Sequence, residues 1–387
     1  MTLTPYLPIY RRTGITMVRG EGVHLIDDKG KRYLDFAAGI ATNSFGHSHP
    51  HLVEKLTKQA ARLWHCSNQF ITPQLEEFSR RLVAATFADS VFFSSSGTEA
   101  VEAGIKFMRR YHYETGAPYR HRIITFEGGF HGRTYGGISA GGNDFARAGF
   151  GQLLAGFDRV ALNDIAAVTR HVGKNTAGIL IEPVQGEGGI QLATPEFLQQ
   201  LRALCDAEGI LLMCDEVQCG YGRPGSLFAY ESAGIVPDMV SSAKGIGGGF
   251  PLGATLVTAQ IAEKLPPGSH GGTYNNNPLA MAVGNAVLDL VLAPGLFDHV
   301  SAMGALLMAG LKKIQAAHPQ KIREIRGLGL MIGLEPAGDA RALAADLLAR
   351  GLIVSPTVTG TLRLVPPLII TASHVAEALE IVEKSLQ

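Results

Sequence analysis

The sequence predicts an α/β chain in two lobes, the larger built on a mostly parallel sheet and the smaller of α+β type. Three observations carry this. A length of 387 residues exceeds what one hydrophobic core usually organises. Continuous apolar runs at 91–93, 122–126, 178–181, 210–214 and 239–240 are separated by stretches of helical period, the mark of strands buried on both faces of a sheet. The pattern changes towards both ends, where short strands and a hairpin signature replace the long alternation. Residues 1–45 and 286–387 are therefore assigned to the small lobe and 46–285 to the large one.

Taken in order, residues 22–26 and 32–36 alternate apolar and polar around Asp27-Asp28-Lys29-Gly30, which predicts an antiparallel hairpin. Gly46-His47-Ser48-His49-Pro50-His51 follows. Its histidines have no cysteine or carboxylate at ligand spacing, so the segment reads as a polar loop in which Pro50 opens a helix. Helical periodicity predicts helices over 52–64 and 75–85. Beyond 285 the pattern predicts a long amphipathic helix (286–291, resuming over 296–316), then strands near 325–334, 352–354 and 361–365.

Ligands of such sheets sit beyond the carboxyl ends of the strands. There the chain places Ser94-Ser95-Ser96-Gly97-Thr98-Glu99, leading into a helix with Val101, Ile105, Met108 and Tyr111 on one face. After the next runs come Glu127-Gly128-Gly129-Phe130-His131-Gly132-Arg133-Thr134, Glu182-Pro183-Val184-Gln185-Gly186-Glu187, Asp215-Glu216-Val217-Gln218 and Ala243-Lys244. Reactive polar groups thus converge on one sheet edge.

Composition narrows the partners. Charged residues are 18% and formal net charge is zero, which provides no electrostatic footprint for nucleic acid or an anionic membrane. The N-terminus lacks a signal-peptide pattern and no apolar run reaches membrane-spanning length. Cys66, Cys205, Cys214 and Cys219 show neither metal spacing nor a disulfide framework, so a cytoplasmic location is expected. Gly137-Ile138-Ser139-Ala140-Gly141 has the form of a serine-hydrolase elbow, but the strand before and helix after that an elbow requires are not predicted around it.

Lys244 lies between two strand-like runs, 239–242 and 254–257, with glycines directly behind it. A partly desolvated amine there has a lowered pKa and can attack a carbonyl; alone, the stretch also reads as a surface lysine beside a flexible turn. Asp215 ends a buried strand and needs a cationic or donor partner, which a protonated pyridine nitrogen would provide. Ser96-Gly97-Thr98 opens a helix, where free amides and the dipole favour a phosphate. Schiff-base lysine, carboxylate and phosphate site together meet the requirements of pyridoxal 5'-phosphate.

Several spaced motifs now carry a family resemblance nearly end to end. They are Gly46-His47-Ser48-His49-Pro50, Ser96-Gly97-Thr98-Glu99-Ala100, Phe130-His131-Gly132-Arg133-Thr134, the Glu182–Gly189 segment, Asp215-Glu216-Val217-Gln218, Lys244-Gly245, and Arg363 with Pro366-Pro367. The chain resembles the class III, ornithine-type aminotransferases among the fold-type-I pyridoxal phosphate enzymes. The resemblance implies ping-pong transamination between N2-acetyl-L-ornithine and 2-oxoglutarate, yielding the N-acetylglutamate semialdehyde and glutamate. Succinylornithine, ornithine and 4-aminobutyrate are the alternative amino donors.

By the same resemblance Lys244 holds the cofactor and shuttles the proton, and Asp215 keeps its ring nitrogen protonated. Gln218 bonds the phenolic oxygen, Phe130 and Val217 cover the two ring faces, and Gly97 and Thr98 hold the phosphate. Thr273 joins them from a second subunit, which implies a homodimer. Arg133 is implied to grip the α-carboxylate of the acylated ornithine and Arg363 the dicarboxylate, with Glu187 pairing to Arg363 when the donor is bound. Two departures bear on substrate. Ile40 stands where ornithine aminotransferase carries a tyrosine, and Gly272-Thr273-Tyr274-Asn275-Asn276-Asn277-Pro278 replaces Ser-Thr-Phe/Tyr-Gly-Gly-Asn-Pro.

Overall fold

The computed structural model describes residues 5–387. Strands β1 (Met17–Glu21), β2 (His24–Asp27) and β3 (Arg32–Asp35) form an antiparallel ribbon. The expected hairpin closes where Asp27 Oδ1 accepts from the backbone N–H groups of Lys29 and Lys31. At the end of β3, Asp35 Oδ1 accepts from the N–H groups of Ala37 and Ala38, and its Oδ2 lies 2.9 Å from His47 Nε2.

Between these anchors the chain makes one left-handed turn, with φ of 47°, 62°, 63° and 63° at Ala38, Gly39, Ile40 and Ala41. Left-handed backbone costs an ordinary L-residue roughly 1–2 kcal/mol, and only Gly39 escapes that cost. Asp35 satisfies the turn's first amides, and the Thr42 hydroxyl donates to the carbonyls of Ala38 and Gly39 at its end.

Pro50 begins the helix Pro50–Ala60, which stops short of the expected residue 64 because the Trp64 indole N–H folds back onto the Ala60 carbonyl. The next helix, Pro73–Ala84, starts where Thr72 caps Leu75 N and Pro73 presets the first turn. His47 and His51 each pair with a carboxylate, Asp35 and Asp289.

The large sheet comprises β4 (Ser90–Ser94), β5 (Arg122–Phe126), β6 (Phe157–Val160) and β7 (Thr176–Ile181); β8 (Val184–Gln185) and β9 (Gln191–Leu192) form a separate ribbon. It is completed by β10 (Leu211–Asp215), β11 (Met239–Ser242) and β12 (Gly253–Val257), in the order β4-β12-β11-β10-β7-β5-β6. All neighbours are parallel except β12, which runs antiparallel to β4 and β11. The apolar runs of the inner strands are buried as expected, Ile179, Leu180, Ile181, Leu212, Met213 and Cys214 having no exposed surface, whereas Val91 and Phe92 on the edge strand β4 are only half-buried. Strand β6 escapes sequence detection because an edge strand reading Phe-Asp-Arg-Val has no continuous apolar run; its Asp158 accepts from Arg122 Nε at 2.8 Å.

The expected long helix is two helices. Pro278–Val291 begins eight residues before position 286, capped by Asn277, and Leu296–Ala317 follows after a 71° bend at Gly295. The first packs Ala286, Val287 and Val291 into the core of the large sheet. The second packs Leu307 and Leu311 with Leu34, Phe36, Leu334 and Leu352 in the other core. Strands β13 (Ile322–Leu328), β14 (Met331–Pro336), β15 (Leu352–Ile353), β16 (Ser355–Pro356) and β17 (Leu362–Leu364) complete the chain. The order β13-β14-β17-β16 makes one sheet, while β15 pairs with β3 and joins the C-terminal segment to the N-terminal ribbon. No single helix among the described residues is long and apolar enough to cross a membrane.

Candidate active site

Strands β10 and β11 are parallel neighbours with Asp215 opposite Ser241, so Asp215 and Lys244 emerge together at the carboxyl edge. A cavity of about 410 Å³ opens there. Lys244, Asp215, Val217 and Gln218 line it from the two strand ends, Gly97 and Thr98 from the start of helix Gly97–Glu114, and Phe130 and Arg133 from the segment after β5.

Lys244 has φ 50°, strain in a side-chain-bearing residue of the kind that collects at functional positions. Burial, and next the charge of Arg363, push its amine down from 10.5 to about 8. At pH 7 about a tenth of the amine is then free base, far more than for an ordinary lysine, and that is the form that attacks a carbonyl. Gly97 is fixed by close approach, since a Cβ there would lie 2.6 Å from Val217 Cγ1 and 3.3 Å from Ala243 Cβ.

Asp215 finds its partner in a residue to which the sequence assigned no role. His131 Nδ1 lies 2.8 Å from Asp215 Oδ2, both side chains almost wholly buried, while Val217 N donates to Asp215 Oδ1. Burial opposes a charged His131, but the hydrogen bond and charge of Asp215, with Glu182 beyond, outweigh it and hold the imidazole above its ordinary range. Glu182 is pushed up to about 7, mainly by burial, and accepts from the N–H groups of Phe130 and Gly186. It thereby clamps the Phe130-His131 segment against the cavity.

Arg363, 1% exposed, donates through Nη1 to Glu187 Oε1 at 2.6 Å and Gln218 Oε1 at 2.8 Å, and through Nη2 to Ser355 Oγ at 3.1 Å. Ser355 is a second contributor the sequence did not flag. Gln218 thus joins the cavity to the Arg363–Glu187 pair. Arg133 is exposed, its guanidinium 5.4 Å from the Phe130 ring centre.

Five expected site residues do not line this cavity: Arg363 and Glu187, which reach it only through Gln218, and Ile40, Gly272 and Thr273. Ile40 is carried on the left-handed turn and is 40% exposed. Gly272 and Thr273 lie in an exposed loop, tied to Asn68 through the Gly272 carbonyl and the Asn276 side chain. Asn276 has φ 60°, a conformation asparagine tolerates well. Ser139 of the hydrolase-like motif sits inside helix Tyr135–Ala140, its hydroxyl engaged with Tyr135 O and Leu154 N.

The donor set fits pyridoxal phosphate. It combines a lowered amine, a buried carboxylate suited to a protonated ring nitrogen, and the apolar side chains of Val217 and Phe130 lining the same cavity. It also offers the first turn of an 18-residue helix, whose amides and dipole suit a phosphate; Thr98 Oγ1, 3.1 Å from Thr134 Oγ1, stands beside it.

The sequence model of aminotransferase class-III matches residues 8–386. The chain belongs to the class-III aminotransferases. Among relatives of this class-III aminotransferase, the acetylornithine aminotransferase of Brucella melitensis is 50% identical over 386 residues, covering 100% of this chain and 96% of the relative. The ornithine aminotransferase of Toxoplasma gondii, whose structure is described as having partial occupancy of PLP at its active site, superposes with a TM-score of 0.95. It is 30% identical and covers 99% of this chain and 92% of that one. The N-acetylornithine aminotransferase of Stenotrophomonas maltophilia gives a TM-score of 0.84 at 36% identity, covering 97% and 96%.

Proposed function

We propose that this class-III aminotransferase carries out pyridoxal-phosphate-dependent ping-pong transamination between N2-acetyl-L-ornithine and 2-oxoglutarate. Its products are N-acetyl-L-glutamate 5-semialdehyde and L-glutamate, a step of arginine biosynthesis. The observation that carries the reading is the convergence of the Lys244 amine and the Asp215 carboxylate on one cavity, with Arg363 held by Glu187 and Gln218 beside it. The 50% identity to an acetylornithine aminotransferase over the whole chain supports the choice of donor.

When bound, the cofactor supplies an electron sink for negative charge on the substrate carbon. Asp215, kept in place by His131 and Val217 N, would favour the protonated form of the ring nitrogen. Lys244 Nζ would hold the cofactor and would serve as the base that moves a proton to and from the substrate carbon. Gly97 and Thr98 hold the phosphate together with Thr273 of the partner subunit, while Phe130, Val217 and Gln218 fix the ring. Arg133 binds the donor's α-carboxylate.

Glu187 neutralises Arg363 while the donor occupies the site and releases it to a dicarboxylate, so one site serves two substrates of different charge. Ile40, two residues from the cavity-lining Thr42, offers no polar group to an α-ammonium, which suits an acylated donor, and Gly272 adds no hydroxyl to the loop around Thr273. The working unit is a homodimer sharing its sites, and the location is cytoplasmic; buried free Cys205, Cys214 and Cys219 are consistent with that.

The deciding experiment compares kcat/KM for N-acetylornithine, N-succinylornithine, ornithine and 4-aminobutyrate with 2-oxoglutarate as acceptor. N-acetylornithine is expected to lead; a preference for 4-aminobutyrate would overturn the assignment.

A further inference from the structure

Arg223 and Arg363 are the two largest fully buried side chains of the described residues, each 1% exposed. Arg223 lies in the loop after β10, on the large sheet's side. Its Nη1 donates to Leu330 O at 2.9 Å and to Pro366 O at 3.0 Å, and its own carbonyl accepts from Leu330 N. Leu330 sits in the tight turn between β13 and β14, and Pro366 lies two residues beyond β17. Strands β14 and β17 pair with Gly333 opposite Arg363. Arg223 therefore ties the turn that leads into β14 to the segment just beyond β17, the strand that carries Arg363.

The charge pattern is as informative as the clamp. No carboxylate pairs with Arg223, and its Nη2 is buried without a partner. Burial and the neighbouring charge of Arg363 push the guanidinium down to about 9, so it remains charged at neutral pH. Among the described residues Glu187 is the one carboxylate bonded to either arginine. Two buried cations thus share one anion, an arrangement unfavourable for folding by itself.

We infer that Arg223 is a positioning residue for the dicarboxylate half-reaction: it holds the strand pair that presents Arg363 and adds a second buried positive charge behind it. A substrate carboxylate that displaces Glu187 then meets the field of two guanidinium groups, while a donor bound in the same site with Glu187 still on Arg363 gains little from Arg223. The inference rests on Arg363 being the dicarboxylate contact.

The test measures binding of glutarate and of butyrate, which lacks the second carboxylate, to the holoenzyme by calorimetry, with both half-reactions followed by stopped-flow absorbance. Arg223→Gln keeps an amide donor for the carbonyls and removes the charge. It is expected to weaken glutarate about tenfold and raise KM for 2-oxoglutarate in proportion, with butyrate and the donor half-reaction unchanged within about twofold. Arg223→Lys, which keeps the charge, is expected to restore most of the glutarate affinity, and it carries the test if the Gln variant unfolds. Parallel loss of glutarate and butyrate affinity, or no loss, would reduce Arg223 to a structural clip and overturn the inference. Arg363→Ala is the control. If it fails to separate glutarate from butyrate, the role of Arg363 falls and this inference with it; if it separates them while the Arg223 variants do not, only the inference falls.

Discussion

Lys244→Met should make the cofactor-free protein more stable. In the unfolded chain Lys244 is an ordinary lysine, whereas in the folded protein its amine is pushed from 10.5 to about 8. At ~1.4 kcal/mol per unit the cost of carrying the charged amine is about 3 kcal/mol, which polar relaxation around it reduces to about 2 kcal/mol. Below the folded value the amine is protonated in both states and the full cost applies. Between about 8 and 10.5 the unfolded chain binds more protons than the folded one, so stability rises with pH. Above that window the cost is gone. Methionine fills similar space with no charge, so the variant should exceed the wild type by about 2 kcal/mol near pH 7, and the gap should close towards about pH 10. Urea unfolding at fixed protein concentration measures both quantities. A variant no more stable than wild type near pH 7, or a gap that ignores pH, would refute the assignment of Lys244 as a desolvated amine.

Other expectations address the rest of the site. Arg363→Ala removes hydrogen bonds to a charged group worth about 1.5–3 kcal/mol, so KM for 2-oxoglutarate should rise about 10- to 100-fold while the donor half-reaction changes far less; equal losses in single-turnover measurements contradict the assigned roles. Asp215→Asn should lower kcat about 10²–10³-fold and, by removing the charge that raises His131, shift its NMR titration to lower pH. A His131 titration that does not move would show that Asp215 is not its controlling partner. Gly272→Ser places a Cβ 2.6 Å from Asn275 Oδ1, the end of a side chain that must turn aside, and should destabilise by about 0.5–1 kcal/mol. Adding Asn275→Gly should restore most of that loss, which a double-mutant cycle in urea reads directly.

Legibility followed the range over which each signal acts. Strands β7 and β10 announce themselves because Gly-Ile-Leu-Ile and Leu-Leu-Met-Cys are buried on both faces, and Lys244 and Asp215 are legible because they immediately follow such runs. Strand β6 is silent because an edge strand carries charge on the face it exposes. His131 was visible only as a motif letter: its role depends on a hydrogen bond to a residue 84 positions away, which no local pattern encodes. Ser355 and Arg223 act through the pairing of β16 and β17 and through a turn more than a hundred residues distant. The left-handed turn was hidden for a different reason. Ala-Gly-Ile-Ala carries one glycine, and the handedness is imposed by Asp35 and Thr42 at its ends.

That turn also bears on how specificity can drift. Ile40, two residues from the cavity-lining Thr42, is β-branched yet held at φ 63°, a conformation that glycine and asparagine adopt with little strain. Replacing it by either relieves about 1 kcal/mol of backbone strain, and because the side chain is already 40% exposed little packing is lost in return. Variation at this position therefore escapes the usual stability–activity trade-off. A lineage exploring new acyl groups could sample smaller residues here without first acquiring stabilising changes elsewhere.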